Sequence, residues 1–155
     1  MFMVKIMVRK ATIKDVSGIL DLINGYAAEG LMLPRTEDAV IQNLRDFFVA
    51  VSEKKIRGCV ALHLYTDRLS EIKSLAVARD YQRQGIATKL LKRCLGEARD
   101  LGVPRVFTLT DVPEIFLKNK FQHSNKALLP HKILEECRLC SKQASCTEQC
   151  LAYSV

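Results

Sequence analysis

The chain has 155 residues, 48% hydrophobic and 26% charged, which is enough for one domain with a core and excludes a disordered polymer. No apolar run is long enough to cross a bilayer, so no membrane partner is expected. With 6% aromatic residues and no run of five or more basic residues, the formal net charge of +7 lacks the pattern of a nucleic-acid binder. Residues 1–50 hold six basic and six acidic side chains, so the excess lies after residue 50, where it suits an anionic ligand. The opening MFMVKIMV is broken by Lys5 and has no cleavage-site pattern, so it does not read as a signal peptide, and a cytoplasmic protein is expected.

Val4 to Lys10 alternates and predicts a first strand. Thr12, with Asp15 three residues on, resembles a capping box, and Val16, Ile19, Leu20 and Ile23 give the helix behind it one apolar face. Gly25 and Gly30 bracket its expected end. Thr36 to Asp46 predicts a second helix with Ala39, Val40 and Leu44 inward. Phe47–Ser52 and Ile56–Leu64 read as strands of a hairpin around Glu53-Lys54-Lys55, with Gly58 at a close approach. A turn over Tyr65–Leu69 leads into a central strand carrying Ile72, Leu75 and Val77. A helix opening over Gln82–Ala87 follows, with Ile86, Leu90, Leu91, Cys94, Leu95, Ala98 and Leu101 on one face. Gly102 and Pro104 stop it. Val103–Leu109 predicts a strand, Val112–Lys118 a short helix with Pro113 near its start, and Phe121 and Leu151–Val155 further strands. Mixed order with one strand–helix–strand crossover implies a single α/β (α+β mixed-sheet) domain over residues 1–155, with helices on both faces and a Cys-rich segment at 129–150.

A strand feeding a loop and a helix N-terminus is an anion site, because the first helical N–H groups have no intrahelical partner. Gly85 lets a phosphate approach, Ala87 adds little bulk and Arg83 adds charge. Neither the Walker A nor the dinucleotide glycine pattern is present. Taken alone, Gly85 fits a helix start equally well.

Gln82-x-x-Gly85-x-Ala87 after Leu75-Ala76-Val77 resembles motif A of the GNAT superfamily of N-acetyltransferases. The resemblance implies the GNAT-type acyl-CoA N-acyltransferase fold. It also implies an acetyl-CoA cosubstrate held by Leu75, Ala76, Val77, Gln82, Arg83, Gln84, Gly85, Ile86, Ala87 and Thr88, with Asn119 and Lys118 as further contacts. A bulge in the central strand, implied likewise, would let the pantetheine arm pair with the sheet. Four further segments, Leu33-Pro34-Arg35-Thr36, Asp46–Ala50, Gly58–His63 and Glu71–Val77, resemble the GNAT-type N-acetylglutamate synthases of arginine biosynthesis, in their short stand-alone form. Acetylation of the α-amine of L-glutamate, or of L-glutamine, is what that resemblance implies. The chain departs from the longer synthases in having Asp111-Val112-Pro113 where they carry an arginine. Phe116 stands where many GNAT enzymes have a tyrosine acid, and Lys120 where they have a glycine.

The chemistry needs a base for the protonated α-amine. Glu71, at the start of the central strand, is the first candidate, with an exposed glutamate paired to Lys73 or Arg68 as the plain alternative. His63 is the second. Leu75 and Val77 offer N–H groups for an oxyanion. A dicarboxylate needs cations: Arg35 supplies a fork for substrate binding, and Lys73 shares a face with Glu71.

Cys59 and Cys94 read as core. Cys137, Cys140, Cys146 and Cys150 leave zinc, an iron–sulfur cluster, disulfides and free thiols open, with His131 as a spare ligand, and no metal is assigned to the active site. The rival readings are a GNAT enzyme for a protein, polyamine or drug amine, which Arg35 and Lys73 disfavour, and a non-catalytic acetyl-CoA sensor. A homodimer is left open.

Overall fold

The computed structural model describes residues 5–130, 133 and 148–155. Strand β1 (Met7–Lys10) is followed by a capping box in which Asp15 Oδ2 accepts from the N–H of Thr12 at 2.7 Å. Arg9 holds the same carboxylate at 2.7 and 3.0 Å. Helix α1 (Val16–Ala28) then lays Val16, Ile19 and Ile23 into the core. Gly25 lies inside this helix rather than at its end; Gly30, at φ +76°, follows the terminus. Helix α2 (Glu37–Gln42) is capped by Thr36, whose Oγ1 accepts from Ala39 N–H at 3.1 Å. It is shorter than the sequence predicts. Asn43 turns its amide back onto the Ala39 carbonyl at 2.8 Å, competing with the helical ladder, and a 3₁₀ turn covers Leu44–Asp46. Val40 is buried, while Ala39 and Leu44 are only half-buried.

Strands β2 (Phe47–Ser52) and β3 (Lys55–Leu64) form the expected hairpin. Its two turn residues, Glu53 and Lys54, both have positive φ (53° and 63°), as a two-residue turn matched to strand twist requires. Strand β4 (Leu69–Val77) leads to helix α3 (Ile86–Leu101), then β5 (Arg105–Thr110), α4 (Glu114–Lys118), β6 (Gln122–His123) and β7 (Gln149–Ser154). Among the described residues the sheet has seven strands in the order β1-β2-β3-β4-β5-β7-β6. Of these pairings only β4–β5 is parallel. Cys137, Cys140, Cys146 and His131 lie outside the described residues; Cys150 is buried on β7.

Helix α3 covers one face of the sheet and α1 with α2 the other, each over its own apolar cluster. Ile86, Leu90, Leu91, Cys94, Leu95 and Ala98 are buried as the spacing predicts, and each large side chain so buried contributes about 1.5–3 kcal/mol. Leu101 is the exception: it falls beyond the last packed turn and is 54% exposed. The helix runs over Ile86–Leu101 as the sequence predicts, and the stretch that opens it is a loop. Arg83 and Gly85 sit at φ 63° and 80°, outside helical backbone, so Gln82–Gly85 is loop and Ile86 the first helical residue.

Candidate active site

The central feature is a fork between two strands. β4 and β5 pair only over Leu69–Arg105, Ser70–Val106 and Glu71–Phe107. Beyond that point β5 stays with β7 as far as Thr110 while β4 diverges. Thr108 Oγ1, donating to Ile72 O at 2.9 Å, is a buried link at the crotch of the fork. The divergence coincides with a bulge in β4. Cys59 faces Ala76 but Ala61 faces Lys73, so β4 has one residue too many there. Ser74 takes the strain at φ 58°. After the bulge Ala78 donates its N–H to Arg57 O at 2.8 Å. N–H groups alternate along a ladder, so Leu75 and Val77 direct theirs away from β3, into the fork.

At the mouth of the fork lies the Gln82–Gly85 loop. The helix's first bond is Lys89 N–H to Gly85 O at 3.0 Å, which leaves the N–H groups of Ile86, Ala87 and Thr88 without intrahelical acceptors. Nothing stands within 4 Å of a Cβ built on Gly85, so that face is open to a ligand. The glutamine side chains point away from this opening. Gln82 Nε2 donates to Tyr26 Oη at 2.9 Å and Val77 O at 3.3 Å, and Gln84 Nε2 to Asp80 O at 3.4 Å. Tyr26, from α1, donates in turn to Val77 O at 2.5 Å. Backbone N–H groups and the helix dipole therefore meet at this opening, with Arg83 exposed in the same loop, a cradle that fits the pyrophosphate of coenzyme A.

On the α1–α2 face beside the fork stands a polar cluster. Glu71 is 8% exposed and directly opposite His63 in the β3–β4 ladder. Its Oε1 accepts from Tyr65 O–H at 2.9 Å and lies 3.9 Å from Lys73 Nζ. His63 Nδ1 donates to Asp46 Oδ2 at 2.6 Å, which ties the second base candidate to a carboxylate of its own. Arg35 sits in the α1–α2 loop, where Asn24 clamps its backbone in both directions: Arg35 N–H donates to Asn24 Oδ1 at 2.9 Å and Asn24 Nδ2 to Arg35 O at 3.0 Å. Its positive charge reaches the Cys59 thiol, which donates to Ser74 O at the bulge at 3.4 Å. Burial nevertheless dominates and pushes that thiol up to about 12, as it does the Cys94 thiol, so both are inert core groups.

The structure thus brings Glu71 and Lys73 together on the face covered by α1 and α2, whose connecting loop carries Arg35, and Leu75 to Thr88 to the adjoining fork. Asn119 follows α4, its amide donating to Ile115 O at 2.8 Å. Phe116 is core, 3% exposed and edge-on to Phe121 at 5.3 Å. Tyr65, Asn24 and the Asp46–His63 pair were not read from the sequence as a group, since only the strand register assembles them. Two shallow grooves of about 440 and 410 Å³ lie elsewhere, one between α1 and the β2–β3 hairpin and one beside β6 and β7; neither is lined by Glu71 or Gly85.

A strand opened beside a phosphate cradle defines a class, proteins that lay an acyl-CoA along a parted sheet. Comparison with known proteins gives the family. The chain belongs to the acetyltransferase (GNAT) family, whose model matches residues 17–118. It is an acetyl-CoA-dependent N-acetyltransferase. It is 37% identical over 141 residues to the uncharacterized N-acetyltransferase CT2212 of Chlorobaculum tepidum, covering 91% of both chains. It is 37% identical over 124 residues to the amino-acid acetyltransferase of Ralstonia nicotianae, covering 79% of this chain but spanning only 28% of that relative's length. The solved structure of Rv2747 from Mycobacterium tuberculosis, in complex with CoA and NLQ, superposes with a TM-score of 0.85 at 27% identity, over 96% of this chain and 99% of that one. N-acetylglutamate synthase from Neisseria gonorrhoeae, complexed with coenzyme A and N-acetyl-glutamate, shares the fold at a TM-score of 0.87 and 22% identity, over 99% of this chain and 36% of that one.

Proposed function

We propose that the protein transfers the acetyl group of acetyl-CoA to the α-amine of L-glutamate, with L-glutamine as the alternative acceptor, in the first step of arginine biosynthesis. The observation that carries the reading is a nearly buried carboxylate, Glu71, with the Lys73 ammonium 3.9 Å away, beside the bulge and on the sheet face covered by the two helices whose connecting loop carries Arg35. A small anionic amino acid matches that charge pattern and a cationic acceptor does not. Relatives named amino-acid acetyltransferase support the same class.

In this reading Arg35 grips one carboxylate through its guanidinium fork and Lys73 the other. Glu71 takes a proton from the α-ammonium, directly or through water, leaving a nitrogen lone pair to attack the thioester carbonyl carbon. The carbonyl π electrons move to oxygen, where the N–H groups of β4 at Leu75 and Val77 stabilise the charge. Collapse expels the coenzyme A thiolate. Phe116 has no proton to give. A thiol pKa of ~8.5 makes the thiolate a tolerable leaving group, and it takes up, through water, the second proton that the new amide nitrogen sheds.

The test is thiol release from acetyl-CoA with glutamate, glutamine, aspartate, ornithine and a lysine peptide as acceptors. Turnover confined to glutamate or glutamine is expected. Turnover confined to ornithine or the peptide would keep the family and sink the acceptor assignment.

A further inference from the structure

Tyr65 stands at the end of β3, where its N–H donates to Leu69 O at 2.9 Å and closes the turn into β4. Its side chain is the centre of the polar cluster. The hydroxyl donates to Glu71 Oε1 at 2.9 Å. The ring stands edge-on to His63 at 4.9 Å, 6.0 Å from the Phe107 ring on β5, and 5.8 Å from Lys73 Nζ. These contacts fix the ring on three sides, so the direction of its hydroxyl is fixed as well. A tyrosine placed only for packing has no need to spend its proton on the carboxylate of a strand.

The geometry points to Tyr65 as the positioning residue of the acetyl-transfer site: it orients the Glu71 carboxylate and sets its basicity. The inference rests on the reading of Glu71 as the base. A hydrogen bond from a phenol favours the charged form of a carboxylate. Lys73, 3.9 Å from the same oxygen, acts in the same direction. The groups set against Glu71 among the described residues are Tyr65 and His63 from β3 and its turn, Lys73 from β4, Asp46 behind His63, and the apolar Phe107 ring from β5. His63 Nδ1–H donates to the Asp46 carboxylate, and that pair holds the imidazole against the Tyr65 ring. The cluster is a chain in which each member fixes the next, ending on the carboxylate.

The test uses the full chain. The carboxyl carbon resonance of Glu71, assigned by its absence in Glu71→Gln, is titrated by NMR in the wild type and in Tyr65→Phe. Losing a hydrogen bond to a charged group should raise its midpoint by about one pH unit, and the lost orientation, outweighing the stronger base, should lower kcat about tenfold with KM for acetyl-CoA unchanged. Fluorotyrosine at position 65 keeps the ring and donates more strongly, so it should move the midpoint down. An unmoved midpoint in both variants would overturn the inference, whatever the kinetics. If the midpoint moves but Glu71→Gln keeps wild-type turnover, the base assignment fails instead, and Tyr65 positions no catalytic group.

Discussion

Gly58→Ala tests how the sheet delivers the helix to the ligand. A Cβ at residue 58 would stand 3.1 Å from Leu90 Cδ1, 3.2 Å from Ile86 Cγ2 and 3.3 Å from Ala76 O. All three neighbours must give by a few tenths of an ångström, two of them inside the packed core. Leu90 and Ile86 are 0% and 1% exposed, and the Ala76 carbonyl belongs to the ladder beside the bulge. Overpacking of this kind costs about 1–3 kcal/mol. At this chain length each kcal/mol lowers Tm by about 2–4 °C. The displacement also has a direction. Ile86 is the first residue of α3, next to Gly85, so the phosphate cradle moves with it. Thermal unfolding should show the Tm loss, calorimetry a several-fold weaker coenzyme A affinity, and steady-state kinetics a raised KM for acetyl-CoA with the acceptor KM nearly unchanged. Wild-type coenzyme A affinity in a variant with the predicted Tm loss would refute the coupling between β3 and the cradle.

Three further outcomes follow from the same contacts. Glu71→Gln should lower kcat by about 10²- to 10⁴-fold while calorimetry shows coenzyme A binding intact. Phe116→Tyr should not restore a missing acid: the added hydroxyl would enter the packed pair with Phe121, costing about 1–3 kcal/mol in a denaturant melt with no gain in kcat. Asp15→Asn should cost about 1–2 kcal/mol at pH 7 through loss of the cap and of the Arg9 bond. The Arg9 guanidinium holds the Asp15 carboxyl below its ordinary value of 3.8, so its contribution is complete above that pH and fades as pH falls further. Melts of the wild type and Asp15→Asn should therefore converge only below about pH 4.

How far the sequence speaks depends on whether a feature is local. Helix α3 was legible because its apolar spacing is the physical cause of its packing, and Leu101 misled only because the stripe runs one turn past the sheet. The hairpin, the capping box and the cradle glycine are local too. The bulge is not: Ser74 at φ 58° has no residue signal, since serine seldom adopts that backbone, and only pairing with β3 reveals the extra residue. The loop that carries Arg35 was legible between its two helices, but the Asn24 clamp that holds the Arg35 backbone spans eleven positions. The Tyr65–Glu71 bond is equally hidden, because it exists only in the β3–β4 register that sets His63 opposite Glu71. Asn119 carries a local role the sequence did not announce, its amide donating to the Ile115 carbonyl at the end of α4.

The central claim is that Arg35 receives the carboxylate of an amino-acid acceptor. The direct measurement is initial-rate thiol release with L-glutamate varied at saturating acetyl-CoA, for the wild type and Arg35→Ala. Loss of a charge-assisted carboxylate contact should raise the glutamate KM by about 10- to 100-fold, with kcat largely kept. An unchanged glutamate KM in Arg35→Ala, or a wild type that turns over neither glutamate nor glutamine, would contradict it.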